Sequence, residues 1–274
     1  MADTGLTHAD WLARVPDLLA ACRERWELEL GEPYEQGAAG YAARAERNGE
    51  PVVLKLVYPH RESEHEADAL ELWNGNGAVR LLERDDSGWE MVIERCEPGT
   101  KLAAEGQEAA LDVLIELLPR LWVEAGEPIH LLANEAAWWA EYLPQQDWES
   151  DQVLLEAALD ALRELPGTQG EQVLLHQDLH GDNVLAAQRQ PWLVIDPKPL
   201  LGEREFAVAP IVRSFELGHT KRDALYRFDR LTAELGLDRE RARGWTIAQT
   251  VAWTSSSQYR STHLETVRWL LEAA

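Results

Sequence analysis

The stretch Val173-Leu174-Leu175-His176-Gln177-Asp178-Leu179-His180-Gly181-Asp182-Asn183-Val184-Leu185, followed by Leu193-Val194-Ile195-Asp196-Pro197-Lys198, decides the reading of this chain. Apolar runs flank the polar residues, so the polar segments read as loops hung between short strands. Asp178 and Asn183 stand five positions apart on the first loop, and Asp196 ends the next apolar run. Taken singly, each would be a turn residue, because Asp and Asn favour turns through local hydrogen bonds. The combined pattern, His-x-Asp-x4-Asn and then a strand ending in Asp, predicts a phosphoryl-transfer centre.

That chemistry explains the residue types. A hydroxyl attacking a phosphoanhydride sheds its proton late, so a carboxylate within hydrogen-bond reach orients it and accepts the proton; Asp178 is the candidate base. Magnesium prefers oxygen ligands and takes one or two carboxylates beside phosphate oxygens, which suits Asp196 together with the Asn183 amide. His176 is expected to brace the loop through hydrogen bonds rather than to perform chemistry.

Working outward, 274 residues suffice for a substantial core, arranged as one large domain or as two lobes sharing a cleft, and two lobes are expected. The formal charge is −23, from 26 basic and 49 acidic residues, and no Lys/Arg cluster is present, which disfavours a nucleic-acid partner. The plain reading of this charge is a solvated, solubilising surface. A cleft that focuses the field would instead attract a cationic small molecule. Cys22 and Cys96 each sit in an apolar pattern, so neither a disulfide framework nor a cysteine metal site is supported. No apolar run reaches the ~18 residues of a membrane span, and the start shows no signal-peptide core. A cytoplasmic protein is expected, where ATP is available.

In the first third, Trp11, Val15, Leu18, Leu19, Cys22 and Trp26 recur at steps of three and four, predicting an amphipathic helix. Residues 27 to 57 then read as a hairpin around the small-residue turn Gly37-Ala38-Ala39-Gly40, followed by the strand Pro51 to Val57. Lys55 interrupts that apolar strand and needs a partner. Among Glu62, Glu64, Glu66 and Glu71, Glu66 shares a helical face with Leu70 and Trp73 and points inward. The pair would hold the Lys55 amine near the phosphates of a nucleotide. The other reading has Lys55 snorkelling at a sheet edge. Val79 to Leu82 and Trp89 to Glu94 read as strands joined by Asp85-Asp86-Ser87-Gly88, leading into the connector Glu94 to Gly99. Backbone groups at Glu94 and Cys96 are candidates to read an adenine edge.

Beyond Leu102 the pattern is helical. Apolar rows run through Ala110, Leu111, Leu114, Leu117, Leu118, Leu121 and Trp122, and again through Val153, Leu154, Ala157 and Leu162. Short strands near 173–176 and 192–195 carry the two loops, and helices return from about 207. Trp138, Trp139 and Trp253 would either wall a sugar or cation pocket or pack in the core. There is no metal-protease His spacing, Gly-x-Ser-x-Gly or Walker lysine motif.

With these residues in hand, the chain resembles the aminoglycoside phosphotransferase branch of the protein-kinase-like fold. Within that branch it is most similar to the aminoglycoside and hydroxyurea resistance kinases, which include streptomycin 6-phosphotransferases. The resemblance rests on Val53-Leu54-Lys55, His65-Glu66-Ala67, Gly77 to Leu82, the Glu94 to Gly99 connector, His176 to Leu185, Ile195 to Lys198, and Val208-Ala209-Pro210. It implies an α+β, bilobal fold with a small antiparallel-sheet N-lobe (residues 1–95), a hinge (96–99) and a larger, mainly helical C-lobe (100–274). It also implies ATP and Mg2+ as cofactors, and a small-molecule acceptor hydroxyl on an aminocyclitol or related compound. By resemblance Lys55 matches the phosphate-binding lysine, Glu66 its helix partner, Asp178 the base, and Asn183 with Asp196 the metal ligands. Two departures stand out: Gln177 where this branch usually has Gly, and Ala207 where relatives usually carry an Asp that struts the catalytic loop.

A metabolic sugar kinase acting on glucosamine or a fructosamine, and a nucleotide-binding pseudokinase without turnover, are the alternatives on the same fold. Acceptor contacts are expected from distant C-terminal segments, with Asp182, Glu216 and Trp253 as candidates.

Overall fold

The computed structural model describes residues 6–34, 40–254 and 259–273. The chain opens with helix α1 (His8–Arg25), capped by the Thr7 hydroxyl, which accepts from the Asp10 N–H at 3.1 Å. Strands β1 (Glu29–Pro33), β2 (Gly40–Arg47) and β3 (Glu50–Val57) follow, then helix α2 (Glu66–Trp73), β4 (Leu81–Arg84) and β5 (Glu90–Glu94). The five strands form one antiparallel sheet in the order β1-β2-β3-β5-β4. The turn residues Gly37, Ala38 and Ala39 lie outside the described residues; Gly40 opens β2.

β3 is a central strand covered on both faces, which accounts for its nearly unbroken apolar run. Because side chains alternate, Val52, Leu54 and Leu56 face one way, and they pack with Trp11, Val15, Cys22 and Trp26 of the α1 region. Val53 and Val57 face the other way and share a core with Ala67, Leu70 and Trp73 of α2. Lys55 belongs by parity to this second face, so the α2 side of the sheet is where its amine must find a counter-charge. The snorkelling alternative is excluded, since Lys55 is only 9% exposed.

The remainder is mainly helical: α3 (Gln107–Leu121), α4 (Leu132–Tyr142), α5 (Gln152–Glu164), α6 (Ala209–Arg213), α7 (Lys221–Glu234), α8 (Arg239–Thr254) and α9 (Arg260–Glu272). Two small antiparallel ribbons sit among these helices. β6 (Gln172–Leu175) pairs with β9 (Leu200–Glu203), and β7 (Val184–Ala186) pairs with β8 (Trp192–Val194). The helical part and the sheet are joined by Arg189, whose guanidinium donates to both Glu94 oxygens at 2.8 Å and to the Gly75 and Ala78 carbonyls at 2.7 and 2.9 Å. No helix among the described residues is long and apolar enough to cross a membrane.

Two expectations shift in detail. The first strand of the predicted hairpin begins at Leu81 rather than Val79, because Val79 instead donates to the Val194 carbonyl and ties the sheet to the β7–β8 ribbon. The buried stripe of α5 is Leu154, Leu155, Ala158 and Leu162, while Val153 is 70% exposed. A stripe read one residue out of phase still scores as amphipathic, which is why periodicity alone misplaced it. Of the two readings open for the tryptophans, core packing holds for Trp139, which packs on Phe206, while Trp138 stacks on Tyr142 beneath the Arg61 guanidinium.

Candidate active site

The loop after β6 and the loop after β8 lie side by side. The Ile195 N–H donates to the Asn183 carbonyl at 3.0 Å, and the Lys198 N–H donates to the His176 carbonyl at 3.1 Å. His176, 3% exposed, joins them through Nε2, which lies 2.9 Å from the Ile195 carbonyl. Burial pushes its imidazole down to about 4, so it is neutral at pH 7, as a bracing residue should be. Trp73 of α2 stacks on the same ring at 6.1 Å, which couples α2 to the loop.

Two residues here occupy left-handed backbone: Gln177 at φ 55° and Asp196 at φ 58°. Glycine adopts positive φ without steric cost, so the Gln177 value is one that suits the Gly the resemblance implies at this position. Gln177 is instead held by Gln249 of α8, whose Nε2 donates to its carbonyl at 2.6 Å. Ala207, in the turn Arg204–Val208 that packs against α8, is buried and offers no polar strut. In this chain Gln249, His176 and Asn183 supply the bracing, the last by donating from Nδ2 to the Asp178 carbonyl at 2.8 Å. Gly181 meets a different constraint: a Cβ there would lie 3.0 Å from the Ala103 Cα.

The predicted residues fall into two adjoining groups. In the first, the Lys55 amine donates to both Glu66 Oε1 and Asp196 Oδ1. Burial would lower the Lys55 amine, but the charges of Asp196 and Glu66 outweigh it and hold the lysine cationic. Asp196 is drawn down to about 2: burial opposes ionisation, and Lys55 and Lys198 overcome it. Its side chain is 45% exposed, and Oδ2 faces no hydrogen-bond donor among the described residues.

The second group centres on Asp178. Lys198 Nζ donates to its Oδ2 at 3.0 Å, and Arg213 Nη2 donates to its Oδ1 at 3.3 Å. Burial would raise the Asp178 carboxyl, yet Lys198, His180 and Arg213 together hold it below the usual carboxylate range. His180 is itself raised against its burial, because Nδ1 bonds Glu216 at 3.0 Å and Asp178 lies nearby. Glu216 is held down to about 2, its burial outweighed by His180 and Ser214. Trp253 forms the wall: the Arg213 guanidinium lies 4.4 Å from its ring centre and Lys198 Nζ 5.9 Å.

The other candidates lie apart. Asp182 faces Lys101 at 3.5 Å. The Glu94 carboxylate is occupied by Arg189 and by the Arg80 N–H at 3.0 Å, so any ligand contact there falls to the backbone. Cys96 is buried, and burial pushes its thiol up to about 12. Lys198, Arg213 and His180 were missed as functional residues. A signal existed for Arg213: a charge closing the apolar run Val208-Ala209-Pro210-Ile211-Val212 needs a buried partner, the reasoning that identified Lys55.

The donor set fits a hard cation and a polyphosphate. Asp196 Oδ2 and the Asn183 Oδ1, whose amide nitrogen alone is engaged, supply two accessible oxygens. Lys55, Lys198 and Arg213 supply positive charge beside them.

The model of the aminoglycoside/hydroxyurea antibiotic resistance kinase family matches residues 31–261. A streptomycin 6-kinase of Streptomyces griseus is 38% identical over 252 residues, covering 87% of this chain and 81% of that protein. A hydroxyurea phosphotransferase of Kitasatospora aureofaciens is 37% identical over 257 residues, 90% of this chain and 74% of that protein. Among solved structures, choline kinase LicA from Streptococcus pneumoniae superposes with a TM-score of 0.67 at 15% identity, covering 97% of this chain and all of that one. The aminoglycoside phosphotransferase APH(4)-Ia gives 0.62 at 14% identity over 94% and 96%. At such identities these two establish the fold and nothing more.

Proposed function

The chain belongs to the aminoglycoside/hydroxyurea antibiotic resistance kinase family and is a phosphotransferase with a hydroxyl acceptor; from that premise we propose that it moves the γ-phosphoryl group of ATP to a hydroxyl of an aminoglycoside or aminocyclitol. The observation that carries this reading is the convergence of Lys55, Glu66 and Asp196 beside an ionised Asp178 on the adjoining loop.

In the proposed reaction Asp178 accepts the proton of the acceptor hydroxyl. The hydroxyl oxygen bonds to the γ-phosphorus as the bond to the β-bridging oxygen breaks, and ADP leaves with that electron pair. A carboxylate held below its usual range is a weak base, which suits a reaction whose proton moves late; orientation of the hydroxyl is then its main contribution. Lys55, fixed by Glu66, would place the phosphates, and Lys198 and Arg213 would compensate charge around Asp178. Asp196 and Asn183 would hold Mg2+, which when bound neutralises phosphate charge. Backbone groups of Glu94 and Cys96 would meet the adenine, with residues 96–99 as the hinge between residues 1–95 and 100–274. Glu216, bonded to His180, and Trp253, beneath Arg213 and Lys198, are the proposed acceptor contacts, and Asp182 is a weaker one because Lys101 already faces it. A cytoplasmic location follows from the ATP requirement.

The test is Mg2+-dependent ADP release from the purified protein against streptomycin, other aminoglycosides, amino sugars and hydroxyurea. Turnover with an aminoglycoside or aminocyclitol well above the acceptor-free rate supports the reading. Turnover confined to amino sugars, or absent with every acceptor, overturns it.

A further inference from the structure

A second cluster of ligand-bearing side chains lies outside the site just described. Glu64 ends the turn Arg61–Ser63, His65 caps the start of α2, and His130 lies in the segment between α3 and α4. One donor atom from each falls within 4.8 Å of the other two. His130 Nε2 is 3.0 Å from Glu64 Oε2, and the two imidazoles meet edge to face with ring centres 4.6 Å apart.

The orientation of His65 is the informative detail. Its Nδ1 lies 2.9 Å from Asp68 Oδ2, and Asp68 is itself fixed by Arg84, which donates to Oδ1 at 2.6 Å. A carboxylate at Nδ1 takes the N–H, which leaves the Nε2 lone pair as the free donor; metal-bound histidines are presented in this way. His130 is anchored through its backbone, its carbonyl accepting from the Leu201 N–H of β9 at 2.8 Å. The neighbouring cation, Arg61, is neutralised by Glu135 and stacked on Trp138, so it does not oppose a second positive charge.

We propose that Glu64, His65 and His130 bind a divalent transition-metal ion of the Zn2+ type, which ties the start of α2 to the helical part of the molecule. Two imidazoles and one carboxylate suit zinc, and imidazole disfavours Mg2+, which takes oxygen ligands. Donors sharing one tetrahedral ion stand about 3.4 Å apart, so loading needs shifts of about 1 Å or less, in side chains such as those of His130 and Glu64 that are 44% and 34% exposed. Water completes the fourth position. The consequence falls on the next residue: Glu66 directly follows His65, so the ion fixes the helix end that presents Glu66 to Lys55.

The experiment is titration of the chelator-treated full chain with Co2+, read by its visible d–d absorption, followed by displacement with Zn2+. One equivalent of Co2+ should give a tetrahedral spectrum that Zn2+ abolishes. His130→Gln should weaken Zn2+ binding roughly 100-fold or more, and Asp68→Asn, which frees His65 to rotate, about 10–100-fold. Because His130 is exposed, His130→Gln should unfold at the wild-type temperature in chelator, and Zn2+ should raise the melting temperature of the wild type but not that of His130→Gln. Asp196→Asn should keep the Co2+ spectrum, separating this ion from one held in the cleft. Absence of a tetrahedral spectrum in the wild type, equal affinity in His130→Gln, or loss of the ion in Asp196→Asn would each overturn the proposal.

Discussion

Replacing Asp178 with Asn preserves the shape of the side chain and removes its charge, so the structure fixes both effects of the change. The carboxylate serves Lys198 at 3.0 Å and Arg213 at 3.3 Å, with side chains 16% and 7% exposed. Without it, two nearly buried cations face each other across a neutral amide. Removing one partner of a buried pair costs about 3–5 kcal/mol. The amide oxygen keeps one hydrogen bond and the site is partly open, so a loss of about 2–3 kcal/mol is expected, or roughly 5–10 °C in melting temperature. On catalysis, losing the proton acceptor should lower kcat by about 10²–10⁴-fold. Nucleotide binding should stay within about threefold, because Lys55 and Asp196 are untouched. Melting followed by fluorescence, ADP release coupled to NADH oxidation, and calorimetric titration with Mg·ADP separate the three quantities. A variant whose kcat stays within tenfold of the wild type removes Asp178 from the chemistry. An unchanged melting temperature would refute the buried ion network.

Asp196→Asn should weaken Mg2+-dependent nucleotide binding by at least about tenfold while metal-free nucleotide binding changes little, and calorimetry with and without Mg2+ checks it. Gln249→Leu leaves the buried Gln177 carbonyl without its donor and should cost about 1–3 kcal/mol in urea unfolding with a parallel fall in kcat. His176 and His263 are both pushed down to about 4 by burial, so the folded state binds fewer protons than the unfolded chain between pH 4 and the ordinary histidine value near 6.5. Stability from these two groups is therefore present above about pH 6.5 and is lost as the pH falls toward 4, on the order of 3 kcal/mol for fully buried His176. Melting temperatures at successive pH values should fall through that window, and His263→Gln should flatten the fall.

What was legible in the sequence was local. Asp178, Asn183 and Asp196 stood out because a loop between two strands concentrates its polar residues within a few positions, and the structure brings the two loops side by side. Lys55 and Glu66 were legible from parity and helical phase, since each is a charge on an apolar face. The partners of Asp178 were less so: Arg213 showed its burial by closing an apolar run, but Lys198 and Arg213 lie 20 and 35 positions away, and only the fold decides which of 26 basic residues meets Asp178. Ala207 shows a second limit. Its departure from the pattern the resemblance implies was visible, but the contact that holds the loop at Gln177 comes from Gln249, 72 positions on, on a helix whose polar residues carried no separate signal. Glu94 shows a third, because its place in the connector drew attention to its backbone groups, while the role of its carboxylate in holding Arg189, 95 positions on, carried no sequence signal.

The distribution of charge gives the arrangement its logic under the proposed function. A chain of net −23 repels a triphosphate at a distance, so phosphate binding must come from cations at contact range. Lys55, Lys198 and Arg213 meet that need. Each is kept charged at depth by a carboxylate that has a proposed role of its own, Asp196 toward the metal and Asp178 toward the acceptor proton. The pairing works in both directions, because the same cations keep both carboxylates ionised. The net acidic excess lies outside this cluster, and beside the Asp178 group Glu216 is held ionised by His180 and Ser214. Under the proposed function a cationic acceptor is drawn by the same long-range field that disfavours the nucleotide. Raising salt from about 50 to 500 mM should accordingly raise the KM of a polycationic acceptor more than that of a neutral one, with kcat little changed. Equal salt dependence for both acceptors would show that the surface charge serves solubility alone.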